Sequence, residues 1–264
     1  MEVSKVKYAF VTRDDETSKK TALKIQQSLE KYFVYDEIDP EIVISIGGDG
    51  TILNAVHQYM DKDCAFIGLH TGTLGFFTDY QLSELDDFIQ DVIHNEYKLF
   101  DRNLLEVKIN QKEGFETLYA LNELRLDQGL RTQTISVYIN NVLFEIFRGN
   151  GLCISTPSGS TGYNKSLGGA IIYPGIPLMQ LTEVAGIHHN AYRSLGSSLI
   201  LDESQTIRLV SEQFQHASMG LDHLHYQFDD VESIEVRISQ KTVKFVEYKQ
   251  MSFIQRVRRA FINS

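Results

Sequence analysis

An aspartate set among glycines, Gly47-Gly48-Asp49-Gly50-Thr51, is the first arrangement in this chain suited to chemistry. Glycines let a ligand approach the main chain closely, and a helix starting just after them offers N–H groups to a phosphate. A carboxylate aimed at the same place would repel phosphate oxygens unless it bound a hydroxyl or faced a metal. Asp49 reads most economically as a general base for a hydroxyl, beside the plainer reading of a tight strand-to-helix turn with a capping Asp or Thr. A second pair, Asn122-Glu123 within Ala120-Leu121-Asn122-Glu123, joins an amide to a carboxylate and can offer donors and acceptors to adjacent hydroxyls. A third stretch runs Ser155-Thr156-Pro157-Ser158-Gly159-Ser160-Thr161-Gly162-Tyr163-Asn164-Lys165-Ser166. Its hydroxyls and glycines, followed by a Tyr and a Lys where a helix could begin, suit backbone and hydroxyl contacts to a nucleotide. The chain has no G-x-x-x-x-G-K-[ST] and no well-placed G-x-G-x-x-G, so neither a P-loop enzyme nor a hydride-transferring Rossmann enzyme is indicated.

The elements around these residues change character along the chain. Tyr8 to Thr12, Ile42 to Ile46 and Ala65 to His70 read as strands, and the β-branched run at 42–46 suits a central strand covered on both faces. Between and after them lie helical patterns: the stripe Ala22, Ile25, Leu29 and Phe33, then Thr51 to Met60 and Leu82 to His94. Such alternation predicts an α/β N-terminal domain around a parallel sheet, over residues 1–99, with the glycine turn at the carboxyl end of a strand, where such sheets bind ligands. Beyond it, strand-like runs at Leu104 to Ile109, Leu118 to Leu124, Thr134 to Ile139, Thr206 to Val210, Ser233 to Ser239 and Val243 to Tyr248 predict a β-rich C-terminal domain over 100–251. Asn140-Asn141 reads as a hairpin turn, since Asn tolerates positive φ. The segment 252–264 reverts to helix, with Phe253, Val257 and Phe261 four apart. Its apolar stripe is expected to pack on a neighbouring domain, and Arg256, Arg258 and Arg259 to form a solvated face.

A net charge of −10 excludes a uniformly basic nucleic-acid binder. With 42% hydrophobic and 23% charged residues the chain should fold around a sizeable core. No apolar run is long enough for a membrane span, and Met1-Glu2-Val3-Ser4-Lys5 does not begin a secretory signal. Two cysteines, Cys64 and Cys153, suit a reducing compartment, so a cytoplasmic protein is expected. Asp222-His223-Leu224-His225 would put two histidines on one face of a strand, but without a third ligand no resident metal is expected. The acid is unevenly spread, with no Asp or Glu between Glu145 and Glu183. That segment holds Arg148, Lys165 and the Ser/Gly stretch, and would be a favourable face for phosphate.

Gly47 to Thr51 resembles the glycine-aspartate motif of the NAD kinases, shared with diacylglycerol, sphingosine and 6-phosphofructo kinases. Asn122-Glu123 is similar to the pair with which NAD kinases hold a ribose diol, and the third stretch is similar to their T-P-T-G-S-T-A-Y signature. All three stand in the family's order and spacing, over nearly the whole chain. The resemblance implies transfer of the γ-phosphate of ATP, carried with a divalent ion such as Mg²⁺, to the 2′-hydroxyl of the adenosine ribose of NAD. It implies that Asp49 is the base and that Gly47, Gly48, Gly50 and Thr51 hold phosphates. Asn122 and Glu123 would fix a ribose, while Ser158, Thr161, Gly162, Tyr163 and Ser166 would line the adenine and nicotinamide pockets. Arg148 would meet the product phosphate, Phe76 would wall the adenine, Asp222 and His223 would lie near the nucleotide, and Ala185 would complete a pocket across subunits of a homotetramer. Two departures stand out: Gly162 where the family usually has Ala, and Asn150 where it commonly has Asp. An ionised Asp only accepts hydrogen bonds whereas Asn also donates, so the contact at 150 changes character. A lipid or sugar kinase sharing the glycine-aspartate loop, and a non-catalytic NAD(P) sensor, are the rival readings.

Overall fold

The computed structural model describes residues 5–72, 75–127, 132–188, 190, 192–214, 218–227, 229–249 and 251–262. Residues 263 and 264, expected in the last helical segment, lie outside the described residues. The chain divides into two compact units, Met1–Asp101 with Val243–Ser264, and Arg102–Thr242. In chain order the elements are β1 (Lys7–Thr12), α1 (Glu16–Leu29), β2 (Val34–Tyr35), β3 (Ile42–Gly47), α2 (Asp49–Tyr59), β4 (Ala65–His70), β5 (Tyr80–Gln81) and α3 (Leu85–His94). Then follow β6 (Lys98–Gln111), β7 (Gly114–Ala120), β8 (Glu123–Asp127), β9 (Gln133–Ile139), β10 (Val142–Gly149), β11 (Gly151–Ser155) and α4 (Tyr163–Ser166). The remainder is β12 (Leu178–Val184), β13 (Leu199–Asp202), β14 (Ile207–Val210), β15 (Ser218–Leu221), β16 (Leu224–Tyr226), β17 (Val231–Glu247) and α5 (Phe253–Phe261). No described helix is long and apolar enough to cross a membrane.

In the first unit β4, β3, β1 and β2 lie side by side, β5 and the end of β17 both join β4, and every one of these pairings is parallel. Ile42 to Ile46 is buried throughout, as a strand covered on both faces requires. Ile25 and Leu29 of α1 pack with Ile44, Ile67, Phe88 and Val246 in one core. The helix starts earlier than its apolar stripe, because Asp15 caps it by accepting from Ser18 N at 2.9 Å. Phe33 reaches the same core from beyond the helix end.

The second unit is built from antiparallel pairings, apart from the short α4. One sheet segment orders β10, β9, β14 and β17, and a separate sheet orders β13, β12, β11, β8, β15 and β16. Leu105, Leu124, Val137, Leu152, Leu181 and Val236 share its core. Asn140 and Asn141 have φ of 48° and 66° and close the β9–β10 hairpin, the geometry that a two-residue turn matching strand twist needs.

Four expectations are corrected. Leu118 to Leu124 is not one strand: β7 ends at Ala120 and β8 begins at Glu123, because the N–H groups of Leu121, Asn122 and Glu123 point to the carboxylate of Asp222 instead of a ladder partner. The two strands expected at 233–239 and 243–248 form the single β17, continuous through the polar Ser239-Gln240-Lys241. Residues 243–251, expected in the second domain, belong to the first unit, where Lys244 and Phe245 pair with Ala65 and Phe66. Finally, the three arginines of α5 do not form one solvated face: Arg258 is exposed and Arg259 partly so, as expected, but Arg256 is buried. Arg256 is 5% exposed and Ile254 is 69% exposed, because Arg256 is ion-paired with the equally buried Asp79.

Candidate active site

The glycine turn is made by the close fit of two side chains beneath it. A Cβ on Gly47 would lie 2.1 Å from Thr51 Oγ1, so only glycine lets β3 turn into α2 here. Thr51 is buried, and its hydroxyl accepts from Gly48 N at 3.3 Å. The hydroxyl and N–H expected to hold phosphate thus also hold each other, while Gly50 is exposed with open space around its Cα. His70, at the end of β4, stands beside this turn: Gly47 is its register partner, and its Nε2 would be 3.2 Å from a Cβ on Gly48. His70 Nδ1 accepts from Gly72 N at 2.8 Å, and burial lowers its pKa below the usual histidine value. The ring is therefore neutral near pH 7, with its remaining proton on the nitrogen facing the turn. His70 was not among the residues singled out; its place at the carboxyl end of the strand next to β3 was the available signal.

Asp49 opens α2, and its carboxylate is held by main chain from another loop. Oδ2 accepts from Phe76 N at 2.8 Å and Oδ1 from Phe77 N at 3.2 Å. Gly75 allows this approach, since a Cβ there would sit 2.2 Å from Asp49 Oδ1. The ring of Phe76 packs on α5, with centroids 5.4 Å from Phe261 and 6.5 Å from Phe253.

In the second unit, Asn122 and Glu123 sit in the break between β7 and β8. Asp222, at φ 54° in the turn joining β15 to β16, accepts from Leu121 N at 2.8 Å, Asn122 N at 2.6 Å and Glu123 N at 3.1 Å. Asp222 therefore shapes the pair's backbone, while His223 beside it is exposed in the turn. His223 is not in the strand, so it and His225 do not share a strand face. From the other side, Thr156 Oγ1 donates to Leu121 O at 2.5 Å and accepts from Gly159 N at 3.1 Å, and Thr156 N donates to Asn122 O at 2.8 Å. Among the described residues the buried atoms Asn122 Oδ1 and Glu123 Oε2 have no hydrogen-bond partner. Burial first, and then the charge of Asp222, push the Glu123 carboxyl up to about 7.

The Ser/Gly stretch is ordered against this pair. Ser158 is buried, Thr161 Oγ1 donates to Ser158 O at 3.2 Å, and Arg125 lies 5.0 Å from the ring centre of Tyr163. A Cβ on Gly162 would meet Glu123 Oε2 at 3.6 Å and Asn122 Nδ2 at 3.9 Å, ordinary contact distances, so the alanine usual in the family would fit. Ser166 ends α4 and is exposed. Asn164 and Ser160, which were not singled out, are buried and lock the loop: Asn164 Oδ1 accepts from Thr182 Oγ1 at 2.8 Å, and Ser160 Oγ accepts from Ile172 N at 2.9 Å.

Arg148, Asn150 and Ala185 gather elsewhere in the same unit. The guanidinium of Arg148 stacks 3.7 Å from the Tyr192 ring centre, and Arg148 O accepts from Ile187 N at 2.8 Å. Ala185, at φ 46°, turns the chain so closely past Gly149 that a Cβ there would be 2.8 Å from Ala185 O. Asn150 is exposed; its N–H donates to Val184 O and its carbonyl accepts from Gln133 Nε2.

The chain matches the family profile of the ATP-NAD kinase N-terminal domain over residues 4–97 and that of the ATP-NAD kinase C-terminal domain over residues 121–248. It is 40% identical over 262 residues to NAD kinase 1 of Listeria monocytogenes serotype 4b (strain F2365), covering 97% of this chain and 99% of that protein. To the NAD kinase of Staphylococcus aureus (strain JH9) it is 38% identical over 266 residues, 98% of each. Among solved structures, yeast NADH kinase complexed with NADH superposes with a TM-score of 0.85 at 20% identity, over 100% of this chain and 90% of that one. An NAD kinase from Archaeoglobus fulgidus in complex with ATP gives 0.76 at 18% identity, over 96% and 99%. These two likenesses are of fold. With both domain profiles matched and relatives near 40% identity along almost its whole length, the chain belongs to the ATP-NAD kinase family.

Proposed function

We infer that the protein is an NAD kinase, transferring the γ-phosphate of ATP to the 2′-hydroxyl of the adenosine ribose of NAD to give NADP and ADP. One observation carries the substrate half of this reading. Asn122 Oδ1 and Glu123 Oε2 are acceptors on adjacent residues, both buried and both without donors among the described residues. An unmet buried acceptor costs roughly 1–3 kcal/mol, which a ligand with two adjacent hydroxyls would recover. A ribose diol has that form.

Asp49 is the proposed base. As the 2′-oxygen forms its bond to the γ-phosphorus and the bond to ADP breaks, the hydroxyl proton passes to the Asp49 carboxylate. The transition state is loose, so the proton is lost late and orientation counts for more than basicity. The Phe76 and Phe77 N–H donors supply that orientation. Mg²⁺ enters as part of the substrate MgATP, its shell filled mainly by phosphate oxygens and water. The glycine turn fits that role: its single carboxylate has both oxygens engaged by main chain, as suits an ion carried by phosphate. His70 adds a neutral donor facing the turn, and Gly50 an open main chain. Arg148, Ser158, Thr161, Gly162, Tyr163 and Ser166 are proposed nucleotide contacts, and Asp222 a support for the ribose pair.

A homotetramer in the cytoplasm completes the proposal. β10 lies at the end of its sheet and exposes Val142, Leu143, Phe144 and Ile146, a strand edge suited to burial against another subunit. The activity is tested with purified protein, ATP, Mg²⁺ and NAD, scoring NADP with a dehydrogenase specific for it. NADP formation is expected. NAD binding without NADP would indicate a sensor, and phosphorylation of diacylglycerol in its place a lipid kinase.

A further inference from the structure

The carboxylate of Asp49 is oriented by the loop Gly75–Asp79, and that loop is held by the end of the chain. Each of its five residues meets the segment from Phe245 onward. Gly75 O accepts from Arg259 Nη2 at 3.4 Å. The Phe76 ring lies against Phe253 and Phe261, and the Phe77 ring stacks on Phe245 at 5.6 Å. Thr78 O accepts from Arg256 Nη1 at 3.4 Å, and the Asp79 carboxylate is ion-paired with Arg256. Arg256 also stands 3.8 Å from Glu247. The sequence of contacts is short: α5 arginines to loop carbonyls and Asp79, loop N–H groups to Asp49.

Cores and their linked loops respond to such restraints in steps rather than smoothly, because packed interiors deform little. Two hydrogen bonds fix the plane of the Asp49 carboxylate, and Gly75 lies flat against it. A shift of the loop by a fraction of an ångström must therefore turn the carboxylate. Arg259 is also near enough to Asp49 for the carboxylate's charge to act on it, although burial and the neighbouring Arg256 weigh more. Among the described contacts neither arginine makes a hydrogen bond or ion pair with the glycine turn, so apart from that through-space charge their contact with Asp49 runs through the loop.

We propose that Arg256 and Arg259 of α5 are positioning residues that set the orientation of Asp49 through the loop Gly75–Asp79. The proposal rests on the reading of Asp49 as the base. Arg259 is the better probe because it is partly exposed, whereas Arg256 is buried and its loss would remove a buried ion pair with Asp79.

The test compares Arg259→Gln, Arg259→Lys, Asp49→Asn and the double variant Arg259→Gln/Asp49→Asn in the full-length enzyme, measuring kcat, KM for ATP and NAD, and Tm. Misplacement of a reacting group by about 1 Å can cost on the order of 100-fold in rate. Arg259→Gln is accordingly expected to lower kcat by roughly 10-fold to 100-fold. KM values should stay within about twofold and Tm near that of the wild type. Arg259→Lys, able to restore one donor to Gly75 O, is expected to recover part of kcat. In the Asp49→Asn background Arg259→Gln should cost nothing further. A wild-type kcat in Arg259→Gln, a loss explained by a fall in Tm, or full additivity with Asp49→Asn would overturn the positioning role. Full activity in Asp49→Asn alone would instead remove the base reading beneath it.

Discussion

Glu123→Gln should make the protein more stable above neutral pH and worse at binding NAD. The Glu123 carboxyl, ordinarily near 4.5, is pushed to about 7 by burial and by Asp222, with Arg125 opposing. At 1.36 kcal/mol per pH unit that difference is worth about 3 kcal/mol. A folded-state pKa above the unfolded one means that the folded chain holds the proton more tightly. The stabilising contribution is therefore whole below pH 4.5, declines as the pH rises, and is gone above about 7. Gln cannot ionise, so the variant lacks this decline. Urea denaturation of both proteins at pH 5, 6, 7 and 8 should give a gap of no more than about 1 kcal/mol at pH 5, rising toward about 3 kcal/mol at pH 8. The diol hydroxyls favour the ionised carboxylate, so NAD binding, followed by calorimetry without ATP, should tighten about tenfold from pH 6 to pH 8 in the wild type. In the variant it should be weak and flat with pH. A constant stability gap across the range, or variant binding as tight as the wild type, would refute the placement of Glu123 as a buried, unpartnered acceptor for ribose.

Three further outcomes follow from particular contacts. Gly75→Ala puts a methyl where Asp49 Oδ1 lies 2.2 Å away, so kcat should fall on the order of 100-fold while circular dichroism shows an intact fold. Thr156→Val leaves Leu121 O and Gly159 N without their hydroxyl partner, and should cost about 1–3 kcal/mol in denaturation together with weaker NAD binding. Asn150→Asp lies on an exposed side chain, so stability should move by no more than about 0.5 kcal/mol. A change in NAD affinity measured on that variant would show that the residue meets the ligand.

The elements that carry the site were legible because their signals are local. The β-branched run before Gly47 and the apolar spacing after Thr51 mark a strand, a turn and a helix within a few residues of one another. The Asn-Asn turn declared itself the same way. What escaped depends on partners far away in the chain. The break at Leu121–Asn122 is imposed by Asp222, some hundred residues on, and nothing in the alternation of 118–124 hints at it. Arg256 lies three residues after Phe253 and one before Val257, on the apolar face of α5, which was a readable sign of burial. Its partner Asp79 was not readable, and an unpaired arginine is rightly expected in water. β17 looked like two strands because Ser239, Gln240 and Lys241 interrupt the apolar pattern, yet Lys241 N donates to Ser239 Oγ within a strand that continues. The role proposed for Asp49 rests on its residue type and its place among the glycines, whereas the main-chain donors that hold its carboxylate come from a loop some 27 residues on and had no local signal.

If Asp49 accepts the proton of the 2′-hydroxyl during phosphoryl transfer to NAD, as proposed, the rate of NADP formation by Asp49→Asn at saturating MgATP and NAD must show it. The variant is expected to bind NAD as the wild type does and to keep its fold, while kcat falls by about 10² to 10⁴. Turnover at the wild-type rate would contradict it.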